Sequence, residues 1–465
     1  MELKTRANLE AGYILNFNLL KDWVIDKGLC CHCGLCSTIC PRISLDGRPE
    51  LRDYDPECGN CFRYCPQANV PILEIEQKFF GQVRRNELLG YFSKCVIAKS
   101  NRSEILAVSQ NGGVVTTLIA HALEANLIDG AIVTGNGVDW IPKPILAKTP
   151  HEILEAAGSK YSMAPTFQAL NEAIEKYELK KLAFVGMPCQ IPGARKLQIS
   201  HVFPSGLGKI EFIVGLFCHE NFSYEALLEK MIEKDLGHKL SDIKKFDISK
   251  GKFIFTKMDG AVTSIPVKQL KEYVWSSCRS CLDFTAELAD ISIGSVGSPS
   301  NDWSMVLIRS DKGKALFSSA VDAQKILVKE GDEIISYAIP LIEKEGRRKK
   351  ERMEKTIQEV IPLLQVLGAS EEEARIYSSL LFLGRSDLTA LSKWSRFPED
   401  SLKNILASLK EKGWLMEIHG NIVPVNLSRA YQTKDPNFQE KLKEFENQKS
   451  KLEELYMRKV LGYLG

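Results

Sequence analysis

Short apolar runs alternate with stretches of helical periodicity between about residues 90 and 310. Two of these runs are GAIVTG at 130–135 and KLAFVGMPC at 181–189. Short apolar runs bounded by turn residues are typical of buried strands, whereas apolar residues spaced three or four apart indicate helices. The alternation therefore predicts an α/β core in this region.

The pattern becomes more polar after residue 345. The segment EGRRKKERMEKTIQEV predicts a charged linking helix over residues 346–365. A separate small unit is predicted over residues 366–430, followed by a charged amphipathic helix over residues 431–465 that suits a helical partner. A length of 465 residues also exceeds what one hydrophobic core usually organises, so we expect several domains.

The small unit contains signals for two helices and a hairpin. Ser370 and Glu373 have the spacing of a capping box, and Gly384 is suited to end the helix that follows. The hairpin is predicted by WLMEIHGNIVPV. This order of elements resembles the winged-helix domain of TrmB-like transcriptional regulators, which we class as an all-helical domain with the hairpin as its wing. The second helix, SLKNILASLKEKG, places four apolar residues on one face: Leu402, Ile405, Leu406 and Leu409.

Charge and hydropathy narrow the possible functions. The chain has 61 Lys and Arg against 59 Asp and Glu, so no global basic field attracts nucleic acid or anionic membranes. No apolar run reaches the 18 residues of a membrane span, and the N-terminal MELKTRANLE lacks the apolar core of a signal peptide. We therefore expect a cytoplasmic protein, at most peripheral to a membrane complex. In that compartment, thirteen cysteines indicate metal or redox chemistry rather than disulfides.

The first cysteine cluster lies in CCHCGLCSTICP at residues 30–41. Its spacing is that of bacterial ferredoxins, in which three cysteines hold one cluster and the cysteine before proline ligates the other cluster. A zinc site is the alternative, but zinc sites usually separate two cysteine pairs by a longer loop. The spacing therefore predicts a ferredoxin-like iron-sulfur domain. The predicted ligands are Cys30, Cys33, Cys36 and Cys40.

The second cluster lies in DPECGNCFRYCP, where an aspartate, Asp55, stands at the first position of the same spacing. Asp55 is either the fourth ligand of the second cluster or only the acidic residue of a turn beside Pro56. A third alternative is that Cys31 or Cys95, the thiols outside the motifs, completes that cluster. Crossed ligation predicts two sets. They are Cys30, Cys33, Cys36 and Cys65 for one cluster, and Cys40, Asp55, Cys58 and Cys61 for the other.

Five segments of the central region occur together in a recognisable order. They are SQNGGVVTTL from residue 109, GSKYSMAP from 158, FVGMPCQIPGARK from 184, GLFCHE from 215 and CRSCLDFTAELADISIG from 278. This set resembles the family of coenzyme F420 hydrogenase and dehydrogenase beta subunits, over roughly residues 20–345. (F420 is a deazaflavin coenzyme.) Taken alone, the glycine pair is only the tight turn before a core helix.

The resemblance implies an FAD on the central domain and a third 4Fe-4S cluster. From the residues alone, Cys189 and Cys218 could equally be small buried apolar side chains at strand ends. Cations near the flavin, Arg195 and Lys160 among them, are candidate contacts for the acidic tail of F420. The implied flavin-site residues are Ser109, Gln110, Asn111, Gly112, Gly113, Thr116, Ser159, Lys160 and Tyr161. The implied ligands of the third cluster are Cys189, Cys218, Cys278 and Cys281.

The fold class expected from these observations is multidomain. An α/β (α+β) flavoprotein core follows an N-terminal ferredoxin-like iron-sulfur module and precedes the winged-helix domain. The predicted boundaries are 1–85 for the iron-sulfur domain, 86–345 for the core, 346–365 for the linker helix, 366–430 for the winged helix and 431–465 for the terminal helix.

The resemblance also implies a function. Hydride would pass between F420 and FAD without a catalytic side chain, and electrons would then reach the 4Fe-4S clusters. The implied partners are redox subunits of hydrogenase, formate dehydrogenase, heterodisulfide reductase or membrane dehydrogenase type, or ferredoxin. One alternative is a flavin and iron-sulfur reductase that uses ferredoxin or another donor. Another is a redox-sensing DNA-binding regulator, disfavoured because Glu399 and Asp400 begin the presumed recognition helix.

Asp55 generates a prediction about the second cluster. A carboxylate is a harder ligand than thiolate and binds iron more weakly, so the iron at that corner should be lost on mild oxidation. Electron paramagnetic resonance should then detect a 3Fe-4S signal, which Asp55→Cys should convert to a stable 4Fe-4S signal. If Cys31→Ser removes the second cluster while Asp55→Ala leaves it unchanged, the carboxylate assignment is wrong.

Overall fold

The computed structural model describes residues 16–53, 58–68, 70–82, 88–200, 209–383, 387–395, 397–418 and 421–425. The chain forms two compact units, and each unit consists of stretches that are separated in the sequence. The larger unit lies within residues 27–54 and 73–350, and the smaller unit lies within residues 1–26, 55–72 and 351–465.

Strands of the larger unit form a hairpin, an eight-stranded sheet and a three-stranded sheet. The hairpin consists of β1 (Ile43–Asp46) and β2 (Arg48–Leu51). The remaining strands are β3 (Lys94–Ser100), β4 (Gly130–Asn136), β5 (Pro142–Ala147), β6 (Leu182–Gly186), β7 (Ile210–Leu216), β8 (Ile243–Ser249), β9 (Lys252–Lys257), β10 (Val262–Pro266), β11 (Ile291–Gly294), β12 (Ser304–Ile308) and β13 (Ile326–Lys329).

The large sheet has the order β13-β3-β12-β11-β7-β6-β4-β5, and the small antiparallel sheet has the order β10-β9-β8. Strands β4, β6, β7 and β11 are parallel neighbours, while the other pairs of the large sheet are antiparallel. The predicted α/β core is confirmed, and both apolar runs singled out in the sequence are strands, β4 and β6. Parallel pairing brings the carboxyl ends of β6, β7 and β11 to one edge of the sheet.

The following helices lie wholly or mostly in the larger unit. The α-helices are Leu35–Ile39, Ile72–Phe80, Ser103–Val108, Val114–Glu124, Pro150–Glu155, Ala169–Asn171, Ile191–Ile199, Asp311–Asp322 and Asp332–Val366. The π-helical segments are Glu172–Lys176 and Tyr224–Asp235, and the 3₁₀ segments are Val138–Trp140, Thr166–Gln168, Leu240–Asp242, Val267–Tyr273 and Ser276–Ser280.

The linker predicted over residues 346–365 is the second half of the 35-residue helix Asp332–Val366. This helix begins inside the larger unit, where Ala338 and Ile342 are fully buried. The segment is helical but is not a separate linker, because the helix starts earlier and its first turns pack on the core. No helix in the described part of the chain combines the length and the apolar character needed to cross a membrane.

Apolar side chains from two helices fill the core on one face of the sheet. Leu118 of Val114–Glu124 and Leu316 of Asp311–Asp322 pack in one cluster with Val96, Val214 and Val306 of the sheet. All five are buried. Burial of each such side chain stabilises the fold by about 1.5–3 kcal/mol.

A buried ion pair joins the helix Ile191–Ile199 to the segment that precedes β11. Arg195 Nη2 lies 2.8 Å from Asp290 Oδ1, and the two side chains are 1% and 2% exposed. Asp290 also accepts hydrogen bonds from the Ile213 amide at 2.8 Å and the Ser310 hydroxyl at 2.6 Å. Arg195 Nε donates to the Leu288 carbonyl at 2.7 Å. Both charges are therefore compensated inside the core.

The smaller unit contains the C-terminal domain and two short N-terminal segments. The predicted capping box is present, because the Ser370 amide donates to Glu373 Oε2 and the Glu373 amide donates to Ser370 Oγ. Gly384 lies outside the described residues. The helices are Phe17–Leu20 with the π-helical Lys21–Ile25, Asn60–Tyr64, Glu371–Leu383, Leu388–Ser395 and Glu399–Glu411, and the strands are β14 (Leu415–Ile418) and β15 (Asn421–Pro424).

The C-terminal domain is not all-helical, because β14 and β15 pair as an antiparallel hairpin. Trp414 is fully buried, and its ring meets that of Tyr377 edge to face, with 5.4 Å between the centroids. The Tyr377 hydroxyl donates to the Val425 carbonyl at 2.6 Å. These contacts fasten the hairpin to the helix Glu371–Leu383. The four predicted apolar residues of Glu399–Glu411 are buried: Leu402, Ile405, Leu406 and Leu409.

Replacement of Arg195 by leucine should strongly destabilise the larger unit. The substitution leaves the Asp290 carboxylate buried without its cation, which costs about 3–5 kcal/mol in comparable cases. Urea unfolding should report a loss of this size. Lys312→Ala is the control, because it removes an exposed pair with Glu211 at 2.6 Å, for which we expect about 1 kcal/mol or less. Equal effects of the two changes would contradict the role given to Arg195.

Candidate functional site

Four cysteines converge at the edge where the parallel strands end. Cys189 comes three residues after β6, and Cys218 comes two residues after β7. Cys278 lies in the 3₁₀ segment Ser276–Ser280, and Cys281 follows it. The Cys218 amide donates to the Phe284 carbonyl at 2.9 Å, which fixes the Cys278–Cys281 segment beside β7. The sequence predicted these four residues as ligands of one cluster, and the fold brings them together.

The electrostatic environment of two of these thiols, Cys218 and Cys278, favours the protonated form. Burial raises the pKa of Cys218 to about 12; Lys349 opposes this increase, and Cys189 and Cys281 add to it. Burial also raises the pKa of Cys278, as do Cys218, Cys189 and Cys281. Burial and the neighbouring cysteines therefore oppose ionisation of Cys218 and Cys278, and a metal that binds them has to displace their protons.

Two N–H groups donate to the sulfur atoms of this set. The Asn221 amide lies 3.3 Å from Cys278 Sγ, and Lys349 Nζ lies 3.3 Å from Cys281 Sγ. Hydrogen bonds to cysteine sulfur are among the contacts by which a protein adjusts an iron-sulfur cluster. Burial alone lowers the pKa of Lys349, but Cys281, Cys218 and Asp283 outweigh it, so the pKa is raised.

No group of three or more His, Cys, Asp or Glu side chains within the described residues is arranged to hold a single metal ion. A 4Fe-4S cluster has a different requirement, because each cysteine binds a different iron of the cubane and the sulfur atoms stay well apart. The donor set of four soft thiols, with N–H donors to two of them, fits a cluster in its chemistry.

The first N-terminal cysteine motif packs in the larger unit beside this set. Trp275 Nε1 donates to the Cys30 carbonyl at 2.8 Å, and the Phe167 amide donates to the Cys33 carbonyl at 3.0 Å. Gly34 adopts a φ of 82°, and a Cβ atom at this position would lie 3.0 Å from the Pro165 carbonyl oxygen. A glycine is therefore required for the motif to approach the core this closely.

These contacts explain why the compact units differ from the predicted domain boundaries. The motif that contains Cys30 belongs to the larger unit, whereas Cys58, Cys61 and Cys65 belong to the smaller unit. Residues 1–85 are thus divided between the two units. Asp55 lies outside the described residues, and the crossed ligation of the two N-terminal clusters stays a prediction. None of the thirteen cysteines forms a disulfide.

The two cysteines outside the motifs have distinct environments. Cys95 lies in β3, is 4% exposed and packs among apolar residues that include Ile97 and Met305. Burial raises its pKa to about 11. Cys95 is therefore a core residue, and this position does not support the alternative that it completes the second cluster. Cys31 is 1% exposed, and its Sγ lies 3.6 Å from the Cys189 carbonyl oxygen, so it connects the first motif to the central cysteines.

The two predicted flavin segments lie next to each other. A Cβ atom on Gly158 would be 3.6 Å from the Val108 carbonyl oxygen, immediately before Ser109. Gly113, with a φ of 67°, precedes the helix Val114–Glu124, as the sequence predicted. Gly112 packs directly on the sheet, because a Cβ atom there would lie 2.8 Å from the Ala98 carbonyl oxygen.

Each flavin segment contains a buried polar atom without a hydrogen-bond partner. These atoms are Gln110 Nε2 and Ser162 Oγ, which directly follows the predicted residue Tyr161. An unsatisfied buried group costs about 1–3 kcal/mol, so both atoms are suited to pair with a bound polar molecule. The Phe222 amide donates to the Tyr161 carbonyl at 2.9 Å. Phe222 follows Asn221, whose amide contacts Cys278, so this segment adjoins the cysteine set.

The other predicted flavin residues have mostly local contacts. The Ser109 hydroxyl donates to the Ile105 carbonyl at 2.7 Å, and Asn111 Nδ2 donates to the Asn301 carbonyl at 3.2 Å. Thr116 is buried in the helix Val114–Glu124. Burial raises the pKa of Tyr161, and a hydrogen bond between its side chain and that of Ser159 opposes this increase.

Two of the cations proposed for the F420 tail, Lys160 and Arg195, differ in their availability. Lys160 Nζ donates to the carbonyls of Ala157 at 3.0 Å and Gly158 at 2.9 Å, where it holds the end of the helix Pro150–Glu155. Burial lowers its pKa to about 8. Arg195 is enclosed in its pair with Asp290, so these contacts give it a role in the core and do not support a tail contact.

Three contributors to the site were not identified from the sequence: Asn221, Trp275 and Lys349. Asn221 and Trp275 act through a main-chain amide and an indole N–H, for which no sequence pattern exists. Lys349 carried a usable signal, because it follows the buried Ala338 and Ile342 at intervals of eleven and seven residues on one helix. That spacing places the three on the same face.

Comparison with known proteins identifies three matched regions. Residues 95–171 match the family described as coenzyme F420 hydrogenase/dehydrogenase, beta subunit N-term, and residues 179–334 match its C-terminal counterpart. Residues 364–437 match the family described as sugar-specific transcriptional regulator TrmB.

Individual relatives agree with these matches. The coenzyme F420 hydrogenase subunit beta of Methanothermobacter thermautotrophicus is 40% identical over 276 residues, which are 58% of this chain and 95% of that protein. A subunit of the F(420)H(2) dehydrogenase of Methanosarcina mazei is 32% identical over 68% of this chain and 90% of its own length. A chain of the F420-reducing [NiFe] hydrogenase complex from Methanosarcina barkeri is 38% identical with a TM-score of 0.56, covering 60% of this chain and 95% of that one.

Replacement of Cys278 and Cys281 by serine should remove one cluster. The two serines cannot supply the soft thiolate ligands, so iron and acid-labile sulfide should fall by about the content of one cubane per chain. Cys95→Ala is the matched control, because this thiol lies in the sheet core. Unchanged iron in the double variant would show that these cysteines hold no cluster.

Proposed function

Since the chain belongs to the family of coenzyme F420 hydrogenase/dehydrogenase beta subunits, we propose that it oxidises reduced F420, or reduces F420, and exchanges the electrons with a redox partner. The resident cofactors are an FAD between the segments 109–116 and 159–161 and a 4Fe-4S cluster on the four central cysteines. The partner is another redox subunit or ferredoxin. The chain itself is of the F420-dependent oxidoreductase type.

The observation that carries this proposal is the adjacency of the flavin segments and the cysteine set. The Phe222 amide donates a hydrogen bond to the Tyr161 carbonyl, and the amide of the neighbouring Asn221 donates to Cys278 Sγ. A two-electron carrier and a one-electron carrier must lie close together to exchange electrons. The unpaired Gln110 Nε2 and Ser162 Oγ further support a polar ligand at these segments.

A bound flavin exchanges hydride with F420 and single electrons with iron-sulfur clusters, which is the conversion that this reaction needs. The chain's residues position these groups and exclude water. Gln110 and Ser162 offer hydrogen bonds to the flavin, and Gly113 gives the loop its left-handed turn before the helix. None of these residues has to transfer a proton during the hydride step, so we assign no general acid or base.

The first N-terminal motif is suited to continue the route toward a partner. Cys31, which lies between the predicted ligands Cys30 and Cys33 in the chain, contacts Cys189 of the central set. Trp275 contacts the same motif from the segment that leads to Cys278. A cluster on the first motif would thus be the next carrier after the central cluster.

DNA binding is the second candidate function, favoured by the match of residues 364–437 to TrmB regulators. The charges of the presumed recognition helix oppose it. Glu399 and Asp400 begin the helix, and Lys403 Nζ lies 3.0 Å from Asp400 Oδ1. We therefore propose that this domain joins subunits. Salt-sensitive, sequence-selective binding of the full chain to DNA in gel-shift assays would overturn this assignment.

Anaerobically purified protein should contain one flavin per chain, and reduced F420 should bleach it. Gln110→Leu removes the amide that we assign to the flavin, so retention of the flavin should weaken by up to about tenfold while iron stays constant. Gln77→Leu is the matched control, because Gln77 is an exposed glutamine on the helix Ile72–Phe80. Flavin released by denaturation and iron are counted in the same samples.

Two results would contradict the proposal. The first is an absence of flavin in wild-type protein prepared without oxygen. The second is a flavin that reduced F420 does not bleach but that reduced ferredoxin does, which would support the alternative of a reductase with another donor. In Cys278→Ser, bleaching by F420 should persist while electrons no longer reach the N-terminal clusters.

A further inference from the structure

A lysine from the long helix Asp332–Val366 reaches the central cysteine set. Lys349 is 1% exposed, and its Nζ lies 3.3 Å from Cys281 Sγ and 2.8 Å from the Asp283 carbonyl oxygen. It lies beyond residue 334, where the family match ends. This contact is thus supplied by a part of the helix outside the matched region.

Neighbouring contacts hold this part of the helix over the site. A Cβ atom on Gly346 would lie 2.8 Å from the Leu88 carbonyl oxygen, so the helix approaches that loop directly. Lys350 Nζ pairs with Glu287 Oε1 at 2.7 Å, and both side chains are largely buried. Glu345 Oε2 lies 3.5 Å from His219 Nδ1. The position of Lys349 is therefore determined on both sides of it along the helix.

The contacts of Lys349 differ from those of an ordinary buried lysine. Buried ammonium groups are usually paired with a carboxylate, because an isolated buried charge is costly. The described hydrogen bonds of Lys349 are instead with a thiol and a main-chain carbonyl. The neighbouring Asp283 carboxylate also interacts with its charge, and Asp283 Oδ1 is buried without a hydrogen-bond partner. A cation placed in this way is suited to compensate negative charge on the cysteine sulfurs.

We propose that Lys349 is a positioning residue that raises the reduction potential of the cluster on Cys189, Cys218, Cys278 and Cys281. Uptake of one electron adds one negative charge to the cluster, and a neighbouring cation with an N–H to sulfur stabilises this charge. Net charge and hydrogen bonds to sulfur are two of the factors that determine cluster potentials. This inference rests on the proposed function, because it requires a cluster at these cysteines.

The test is a redox titration of the anaerobically purified full chain, followed by paramagnetic resonance. The signal of the central cluster is the one that Cys278→Ser removes. Lys349→Met removes the charge and the donor at similar length, and should shift the one-electron equilibrium toward the oxidised form by about tenfold or more, which is about 59 mV. Lys349→Arg should stay near wild type, because it keeps both the charge and an N–H donor.

Arg348→Met is the matched control, since it removes one charge from the next position, where the side chain is 59% exposed. The reduction potential of the central cluster should be unchanged in this variant. If Lys349→Met does not retain iron, Lys349→Gln is titrated instead, and the same shift is expected because the charge is lost. If the reduction potential is unchanged in a Lys349 variant that keeps all its iron, the role proposed for Lys349 is wrong, but the proposed cluster is not affected. Unchanged iron in Cys278→Ser overturns both this inference and the proposed central cluster.

Discussion

The buried pair of Arg195 and Asp290 holds together the segments on which the cysteine site depends. Arg195 lies on the helix that begins just after Cys189, and Asp290 ends the segment that begins at Cys278. Asp290 also binds the Ile213 amide of β7, the strand that leads to Cys218. One carboxylate therefore connects the three chain segments that supply the four thiols, and its charge requires the buried guanidinium.

The second requirement of the site is that chain segments pass very close to each other at positions that have no side chain or a small one. Gly215 of β7 has no space for a Cβ atom, which would lie 2.3 Å from the Ala286 Cβ atom. The segment from Cys281 to Asp290 can therefore pass directly over the strand. Gly34 has the same function for the first cysteine motif, which approaches Pro165. In both places, a glycine lets a segment that carries cysteines approach the neighbouring part of the core. The distance between the two is determined by the fold and not by the cysteine motif.

Under the proposed function, this arrangement would let one unit connect two kinds of redox chemistry. The flavin segments and the central cysteines meet through Tyr161, Phe222 and Asn221, while Cys31 and Trp275 connect the same cysteines to the first N-terminal motif. The route is built from main-chain hydrogen bonds and buried side chains. Such contacts tolerate little movement, and a short, rigid path is what electron transfer between fixed carriers requires.

The sequence by itself determined the elements whose signals are local. The spacing of Cys30 to Cys40, the capping box at Ser370 and the apolar face of the helix Glu399–Glu411 each depend on neighbours a few residues apart. It also identified the family, because five motifs occur in a fixed order. Only the tertiary structure decided which residues meet across long separations. In the structure, Arg195 is a core residue and not an available ligand contact. Cys95 lies in the sheet, and Lys349 contacts Cys281. A cysteine or a charged residue looks the same in the sequence whether its side chain faces solvent or a neighbour. Its burial and pairing depend on segments far away in the chain, 95 residues for Arg195 and Asp290 and 68 for Lys349 and Cys281.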